Sequence, residues 1–384
     1  MILHTLLDYD VLRVIWWALL GVLLVAFALT DGFDLGTGTL LPFVARTDLE
    51  RRVVINSVGP VWEGNQVWLV LGGGAIFAAW PQLYAVSFSG FYLAMAAVLL
   101  ALILRPVGFK YRSKNEDPRW RAAWDWALFV GGFVPALIFG VAMGNVLQGV
   151  PFRIAPDMQI FYDGSFLGLL NPFALLCGLV SVAMLVMHGA AWLVLKTEGA
   201  VATRARTWGM GAALAVVLLY ALAGWAMATH VDGYRITSDI VTQGASNPLF
   251  KTVAGMEGAW FANYAQHPWT LGAPVAGFAG ALLALLGLAR RREGATMLFS
   301  SLSIAGIVLS VGASMFPFIL PSSIQPAASL TVWDASSSHL TLFIMLVGGM
   351  IFLPIIVAYT SWVYKVLWGK VDAAGIRDGN GHAY

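Results

Sequence analysis

Residues 14–36 read VIWWALLGVLLVAFALTDGFDLG, an apolar run that ends in two acids. A helix needs about 20 predominantly apolar residues to cross the hydrocarbon of a bilayer, so this run predicts a membrane-spanning helix. The whole chain has this character, because 59% of its 384 residues are hydrophobic and only 11% are charged. A soluble domain carries about 25% charged residues. We therefore expect an all-α integral membrane protein.

The apolar runs divide the chain into nine predicted transmembrane helices within a single membrane domain. They cover residues 11–35, 53–78, 83–106, 122–147, 166–195, 205–229, 268–289, 295–317 and 338–366. The second run is the most polar, since its first half contains asparagine, glutamate and glutamine. Residues 230–267 and 318–337 are predicted to be loops on one side of the membrane, and the first is expected to fold as an external cap.

Basic residues are distributed unevenly between the two sets of alternating loops. Of 22 lysines and arginines, only Arg13, Arg153, Arg235 and Lys251 fall on one side. The remaining 18 lie near the loops after helices 1, 3, 5 and 7 and in the C-terminal segment, which includes Arg377. Because short cytoplasmic loops are enriched in lysine and arginine, we place the N-terminus outside and the C-terminus in the cytoplasm.

No basic run resembles a nucleic-acid-binding arm, so nucleic acid is not an expected partner.

Five ionisable side chains fall within or at the ends of predicted spans. They are Asp31, Asp34, Glu63, Arg105 and Asp125. An ionised group at mid-membrane costs about 2.5–3.5 kcal/mol on insertion scales, so each needs a partner or a function. We expect them to converge on the cytoplasmic half of the helices, with Glu63 as the deepest acid. Such a group can pass protons inward, and the alternative is a buried ion-pair network that only joins helices.

His188 is predicted to lie deep in the fifth helix, where a histidine could ligate haem. The other histidines fall in loops or at helix ends: His4, His230, His267, His339 and His382. Haem and redox-metal sites usually need a second ligand, so a hydrogen-bonded His188 packed against a neighbouring helix is the favoured interpretation. Cys177 is the only cysteine, which excludes an internal disulfide and a thiolate metal cluster.

Glycines and tryptophans of the second predicted helix have two interpretations each. Residues 72–74 are consecutive glycines, but no strand precedes them, so close helix packing is favoured over a nucleotide-binding loop. Trp62 and Trp68 could flank a quinone or a path for oxygen. Ordinary packing against protein or lipid is the favoured interpretation of these two rings.

Seven ordered motifs resemble subunit II of the cytochrome bd-type quinol oxidases. They are TDGFDLG at 30–36, PVWEGNQVW at 60–68, RPVGFKYRSK at 105–114, WDW at 124–126, GNVLQGVPF at 144–152, MFPF with PSS within 315–323, and SLTVWDASSS at 329–338. The similarity runs from about residue 8 to the end of the ninth predicted helix. Its extent implies the same fold over nearly the whole chain.

The resemblance implies a subunit of a complex in the bacterial cytoplasmic membrane that oxidises quinol and reduces dioxygen to water. Two b-type haems and one d-type haem would lie in subunit I, and this chain would ligate none and would not be catalytic alone. It would stabilise subunit I in a pseudo-symmetric heterodimer, often with a small single-helix subunit. Each half would comprise two four-helix bundles and a ninth, peripheral helix, and a structural quinone can sit in subunit II.

The resemblance also implies roles for individual residues. Asp34, Glu63, Arg105 and Asp125 match positions thought to line a proton route from the cytoplasm. The family often has aspartate where this chain has Glu63, so the carboxylate reaches one methylene further. Trp68 matches a position near the proposed oxygen entrance.

Two competing functions are an independent secondary transporter and a purely structural membrane partner.

Overall fold

The computed structural model describes residues 6–371, 373 and 376, and its regular structure is almost entirely helical. Arg377, His4 and His382 lie outside the described residues. The α-helices are, in chain order, α1 (Tyr9–Val44), α2 (Asp48–Val58), α3 (Trp62–Ala79), α4 (Pro81–Gly90), α5 (Tyr92–Tyr111), α6 (Pro118–Gln148), α7 (Pro172–Lys196), α8 (Gly199–Thr229), α9 (Ala262–Gln266), α10 (Gly272–Ala289), α11 (Glu293–Met315) and α12 (His339–Val366).

Several helices begin where side chains satisfy the first backbone N–H groups. At the start of α2, Thr47 and Glu50 form a reciprocal capping box. At the start of α7, the Asn171 side chain accepts a hydrogen bond from the Ala174 amide, and Pro172 occupies the first helical position. These local signals fix the ends of helices whose lengths are set by their apolar runs.

Eight helical segments in the described chain are long and apolar enough to cross a membrane. They correspond to every predicted run except the second. The second run was predicted to be one continuous helix, and this prediction is wrong. The chain turns through residues 59–61 between α2 and α3. Pro60 in this turn has no backbone N–H to continue a helix. The 18-residue α3 is not among these eight segments, and Glu63, Asn65 and Gln66 lie in its first turns.

The third predicted run is also divided, because α4 ends at Gly90 and α5 begins at Tyr92. Helix α1 continues to Val44, well beyond the predicted end of its span. It packs against α3, α6 and α7, and α7 in turn packs against α8 and α11. The crossing of α1 and α7 requires glycine, since a Cβ on Gly36 would lie 1.9 Å from the Leu185 carbonyl oxygen.

The glycines of α3 do not mediate close packing within the described chain, contrary to prediction. A Cβ added at Gly72 or Gly74 would meet no atom within 4 Å, and one at Gly73 would only touch Phe88. Helix α12 is likewise sparsely covered, since it contacts α1 and α3 but exposes most of its apolar side chains. One side of the molecule, formed in part by α3 and α12, is thus apolar and uncovered.

Three antiparallel hairpins stand at one end of the helices, which we call the hairpin end. They pair β1 (Phe152–Ile154) with β2 (Ile160–Tyr162), β3 (Asp232–Ile236) with β4 (Val253–Glu257), and β5 (Phe318–Leu320) with β6 (Leu330–Thr331). The segment 230–267 therefore has regular structure of its own. We call the opposite end the basic end. Ion pairs there join α8 to α2, through Arg204 and Glu50 at 2.5 Å, and the segment after α12 to α11, through Lys370 and Glu293 at 2.9 Å.

Two buried cations hold the hairpin end together. The Arg13 guanidinium donates to the Thr242 and Gly244 carbonyls and to the hydroxyls of Ser246 and Ser336. The Lys251 ammonium lies 2.7 Å from an Asp334 carboxylate oxygen and donates to the Pro248 and Ser329 carbonyls at 2.9 and 2.6 Å. Burial lowers the pKa of Lys251, and Asp334 opposes this shift. These contacts attach the 240–251 segment to α1 and to residues 329–336.

Candidate functional site

Three of the five predicted ionisable residues meet between α1 and α5, and we call this group, with Asn65 and Tyr364, the central cluster. Arg105 binds Asp31 in a bidentate pair, with N–O distances of 2.7 and 3.0 Å. A third carboxylate oxygen, Asp34 Oδ2, lies farther from the Arg105 guanidinium, at 3.7 Å. All three ionisable side chains are buried. Asp31 and Asp34 meet the same guanidinium because residues three apart share a helix face.

Two further side chains complete the central cluster. Asn65 of α3 donates to Asp34 Oδ2 at 2.8 Å, and the Tyr364 hydroxyl of α12 donates to Asn65 Oδ1 at 2.5 Å. The chain of contacts therefore joins α5, α1, α3 and α12. It contains two carboxylates and one guanidinium, so it carries an uncompensated negative charge unless it binds a proton.

Asp125 belongs to a separate group at the basic end, so the five predicted residues do not form one cluster of contacts. Its carboxylate oxygens lie 2.5 Å from Arg112 Nε and 2.7 Å from Arg51 Nη1. Asp48 joins the same group through Arg112 and Arg121, at 2.9 Å in each case. We call these residues the basic-end cluster. Here the arginines outnumber the carboxylates, the reverse of the central cluster.

Glu63 lies outside the central cluster, because its side chain is exposed on the surface of the described chain. Its place as the acid deepest in the membrane stays a prediction. It lies two residues before Asn65 in α3, which corresponds to about 200° around the helix and about 3 Å along its axis. Asn65 faces the central cluster, so Glu63 points away from it at nearly the same depth. Helical rotation alone separates the two side chains.

Trp62 and Trp68 are both buried, but only Trp62 is next to the central cluster. The Arg105 guanidinium lies 5.9 Å from the centre of the Trp62 ring, which also packs against Phe109 at 5.5 Å. Trp68 belongs to an apolar cluster that includes Trp16. Sequence reasoning missed Tyr364, because nothing near it in the chain indicates a contact with residues 299 positions away.

His188 connects three helices by hydrogen bonds, and the prediction of a hydrogen-bonded packing histidine is confirmed. Its Nε2 lies 2.9 Å from the Leu29 carbonyl oxygen of α1, and its Nδ1 lies 2.8 Å from Ser300 Oγ of α11. A carbonyl can only accept, so Nε2 carries a proton and donates to Leu29. In the part of the chain that the structure describes, no group of three or more His, Cys, Asp or Glu residues is placed to hold a metal ion.

The fold and the central cluster define a multi-pass α-helical membrane protein with buried ionisable groups between its helices. The sequence pattern of the family described as cytochrome bd terminal oxidase subunit II matches residues 12–367. The chain therefore belongs to this family. It is a component of an oxidoreductase complex, and as subunit II it has a subunit I as its partner.

Individual relatives support this assignment. The chain is 48% identical over 372 residues to cytochrome bd-I ubiquinol oxidase subunit 2 of Escherichia coli, which covers 97% of this chain and 98% of that one. It is 32% identical over 364 residues to cytochrome bd ubiquinol oxidase subunit 2 of Bacillus subtilis, with coverage of 93% and 96%. A chain of the bd oxidase structure from Geobacillus thermodenitrificans has the same fold, with a TM-score of 0.69, 17% identity and coverage of 93% and 98%.

Proposed function

We propose that this chain stabilises subunit I of a quinol:dioxygen oxidoreductase and helps to conduct protons from the cytoplasm to the site of oxygen reduction. Ubiquinol is the reductant named for the relatives from Escherichia coli and Bacillus subtilis. The haems of the complex belong to subunit I in this proposal. The observation that carries it is the arrangement of α3, which has Asn65 in the central cluster on one face and the exposed Glu63 on the other.

The exposed face of α3 is unsuited to lipid. Glu63 lies at the start of an apolar stripe in which Val70 and Phe77 are 73% and 60% exposed. A carboxylate facing hydrocarbon costs about 2.5–3.5 kcal/mol. A partner helix carrying polar groups removes this cost, and the open space beside Gly64 and Gly74 allows close approach. We therefore propose that subunit I covers this face, which places Glu63 between the subunits.

The basic-end cluster, the central cluster and Glu63 then follow one another along a proton route. The basic-end cluster with Asp125 lies nearest the loops rich in lysine and arginine. The central cluster with Asp31, Asp34 and Arg105 follows, and its excess carboxylate gives it the capacity for a proton. Glu63 stands on the far face of α3, toward the proposed subunit I interface.

We also propose the orientation and the number of spans. The excess of lysine and arginine at the basic end supports a cytoplasmic location for that end and an external location for the N-terminus and the hairpin end. With α3 covered by subunit I, its polar first turns are no longer exposed to lipid. Nine spans, arranged as two four-helix bundles and the peripheral α12, then complete the subunit.

A purely structural role is the second candidate, and the bidentate pair of Arg105 with Asp31 favours it. Such geometry is typical of strong, fixed ion pairs. In that case the central cluster would only join α1 to α5, and Glu63 would only pair with a group of subunit I. The two candidates differ in what happens when Glu63 loses its ability to titrate.

Variants of Glu63 in the complete complex separate these functions. Glu63→Gln keeps the shape and hydrogen bonding of the side chain but cannot carry a proton. If Glu63 conducts protons, oxygen consumption per haem should fall at least about tenfold, equivalent to about 1.4 kcal/mol on the barrier. Haem content should stay normal, and Glu63→Asp should retain much more activity.

The control is Glu257→Gln, which changes an exposed glutamate of β4 at the hairpin end. It should leave both haem content and turnover unaltered. A structural role predicts poor assembly of Glu63→Gln with normal turnover per haem in the complex that does assemble. Normal turnover in Glu63→Gln would remove this residue from the mechanism.

A further inference from the structure

A small buried cavity lies directly beside the central cluster, toward the basic end. Its volume is about 10 Å³, close to the minimum that one water molecule needs. Asp34, Thr37 and Arg105 supply its polar lining, and apolar side chains of α2, including Val54 and Val58, close it toward the basic end. The cavity is therefore water-sized and has polar groups on one wall.

Two polar atoms of this wall lack a partner among the described residues. Asp34 Oδ1 and Thr37 Oγ1 are both buried without a hydrogen bond. Thr39, two residues further along α1, behaves differently, because its hydroxyl donates to the Leu35 carbonyl at 2.8 Å. Thr37 does not use its own helix in this way, so its hydroxyl is free to serve the cavity that it lines. A buried hydroxyl and a carboxylate oxygen without partners are both costly.

The charges of the lining restrict what can occupy the cavity. The guanidinium of Arg105 disfavours a cation, and the carboxylate of Asp34 disfavours an anion. A neutral molecule that both donates and accepts satisfies the two orphan atoms together. Water accepts a hydrogen bond from the Thr37 hydroxyl and donates one to Asp34 Oδ1. Both bonds are possible because a hydroxyl can donate and a carboxylate oxygen accepts.

We infer that Thr37 and Asp34 bind a single water molecule in this cavity, and that Thr37 is a positioning residue that holds this water against Asp34 for proton transfer. The second part of the inference rests on the proposed function. Asp34 Oδ2 is engaged by Asn65, so Oδ1 is the oxygen open to exchange. A proton that reaches the bound water is taken up by it, and the water releases one of its own protons to Oδ1.

The test compares Thr37→Val, Thr37→Ser and Thr39→Val in the purified complex. Thr37→Val keeps the shape but removes the hydroxyl, whereas Thr37→Ser keeps the hydroxyl. Thr39→Val is the matched control, since it removes a buried threonine hydroxyl from the same helix, away from the cavity. Infrared difference spectra in ordinary water and in water with a heavy oxygen isotope report the bound water, and oxygen consumption per haem reports turnover.

We expect Thr37→Val to lose one isotope-sensitive water band and to lower turnover per haem about tenfold. Thr37→Ser should keep the band and most of the turnover, and Thr39→Val should match the parent complex in both. If Thr37→Val assembles poorly, Val58→Ile provides a second route, because its extra methylene occupies the cavity without altering either polar group. This variant should also lose the band.

Two outcomes would overturn the inference. If the water band persists in both Thr37→Val and Val58→Ile, no water is bound at this site and the whole inference is wrong. A band that is lost while turnover stays at the parent level upholds the water site but ends its role in proton transfer. The Glu63 experiment tests the proposed function separately. If Glu63→Gln loses turnover while the water band persists in Thr37→Val and Val58→Ile, only the Thr37 site is contradicted.

Discussion

The hairpin end and the central cluster both bury ion pairs, but they balance charge differently. At the hairpin end, one lysine meets one carboxylate, and carbonyl oxygens take up the remaining ammonium protons. In the central cluster, one guanidinium meets two carboxylates, and Asp34 Oδ1 has no partner among the described residues. The first pair has one charge of each sign, and it fixes two loops together. The second has an excess acid, so it can accept a proton without breaking its bidentate pair.

Removing the cation of the central cluster should have the largest effect. Arg105→Met leaves two buried carboxylates without a countercharge, and breaking a buried pair in this way costs about 3–5 kcal/mol. We expect a matching loss in thermal stability of the complex and a strong drop in haem bound per membrane protein. Thermal denaturation and haem absorption of purified membranes measure these effects. The double variant Arg105→Met with Asp31→Asn should recover part of the loss, and absence of any recovery would argue against the charge explanation.

Removing the carboxylate of the Lys251–Asp334 pair at the hairpin end should have a smaller effect on stability and none on turnover. Asp334→Asn removes the countercharge of Lys251, but the carbonyl partners remain, so we expect a loss of about 1.5–3 kcal/mol. Turnover per haem in the assembled complex should be unaltered. Asp163→Asn is the control, because its pair with Arg153 is about half exposed, and such pairs contribute about 0–1 kcal/mol. Equal losses in both variants would contradict the importance of burial.

The stability deficit of Asp334→Asn should also depend on pH. Burial lowers the pKa of Lys251 in the folded protein, and the variant loses the carboxylate that raises it. The folded state then binds this proton less tightly than the unfolded chain does. The deficit is therefore full below the lowered pKa and shrinks as pH rises toward the ordinary lysine value of about 10.4. Melting temperatures of the parent and the variant across this alkaline range measure the deficit, and a deficit that stays constant would contradict the explanation by Lys251.

The smallest effect is expected at the edge of the central cluster. Tyr364→Phe removes only the hydrogen bond to Asn65, which is worth about 0.5–1.5 kcal/mol. We expect a slight loss of thermal stability and a turnover that stays within about threefold of the parent. Tyr359→Phe on the exposed surface of α12 is the matched control. A loss of turnover as large as that expected for Glu63→Gln would mean that Tyr364 belongs to the proton route.

The sequence by itself determined the membrane architecture, because lipid requires apolar runs of a minimum length and imposes this demand locally. Eight of the nine predicted runs coincide with candidate membrane-spanning segments. The exception is the run with polar residues at its start, where the turn at residues 59–61 separates α2 from α3. The ionisable residues were also recognisable as unusual from their positions alone, since charge within an apolar run is costly wherever it occurs.

Only the tertiary structure decided which of these residues meet. Asp31 and Arg105 are 74 positions apart, and Tyr364 is 299 positions from Asn65, so no local pattern connects them. The rotation of α3 was equally hidden, because its apolar residues do not mark one face clearly. A helix turns about 100° per residue, and the packing of α3 on α1 therefore brought Asn65 to Asp34 and left Glu63 on the opposite surface.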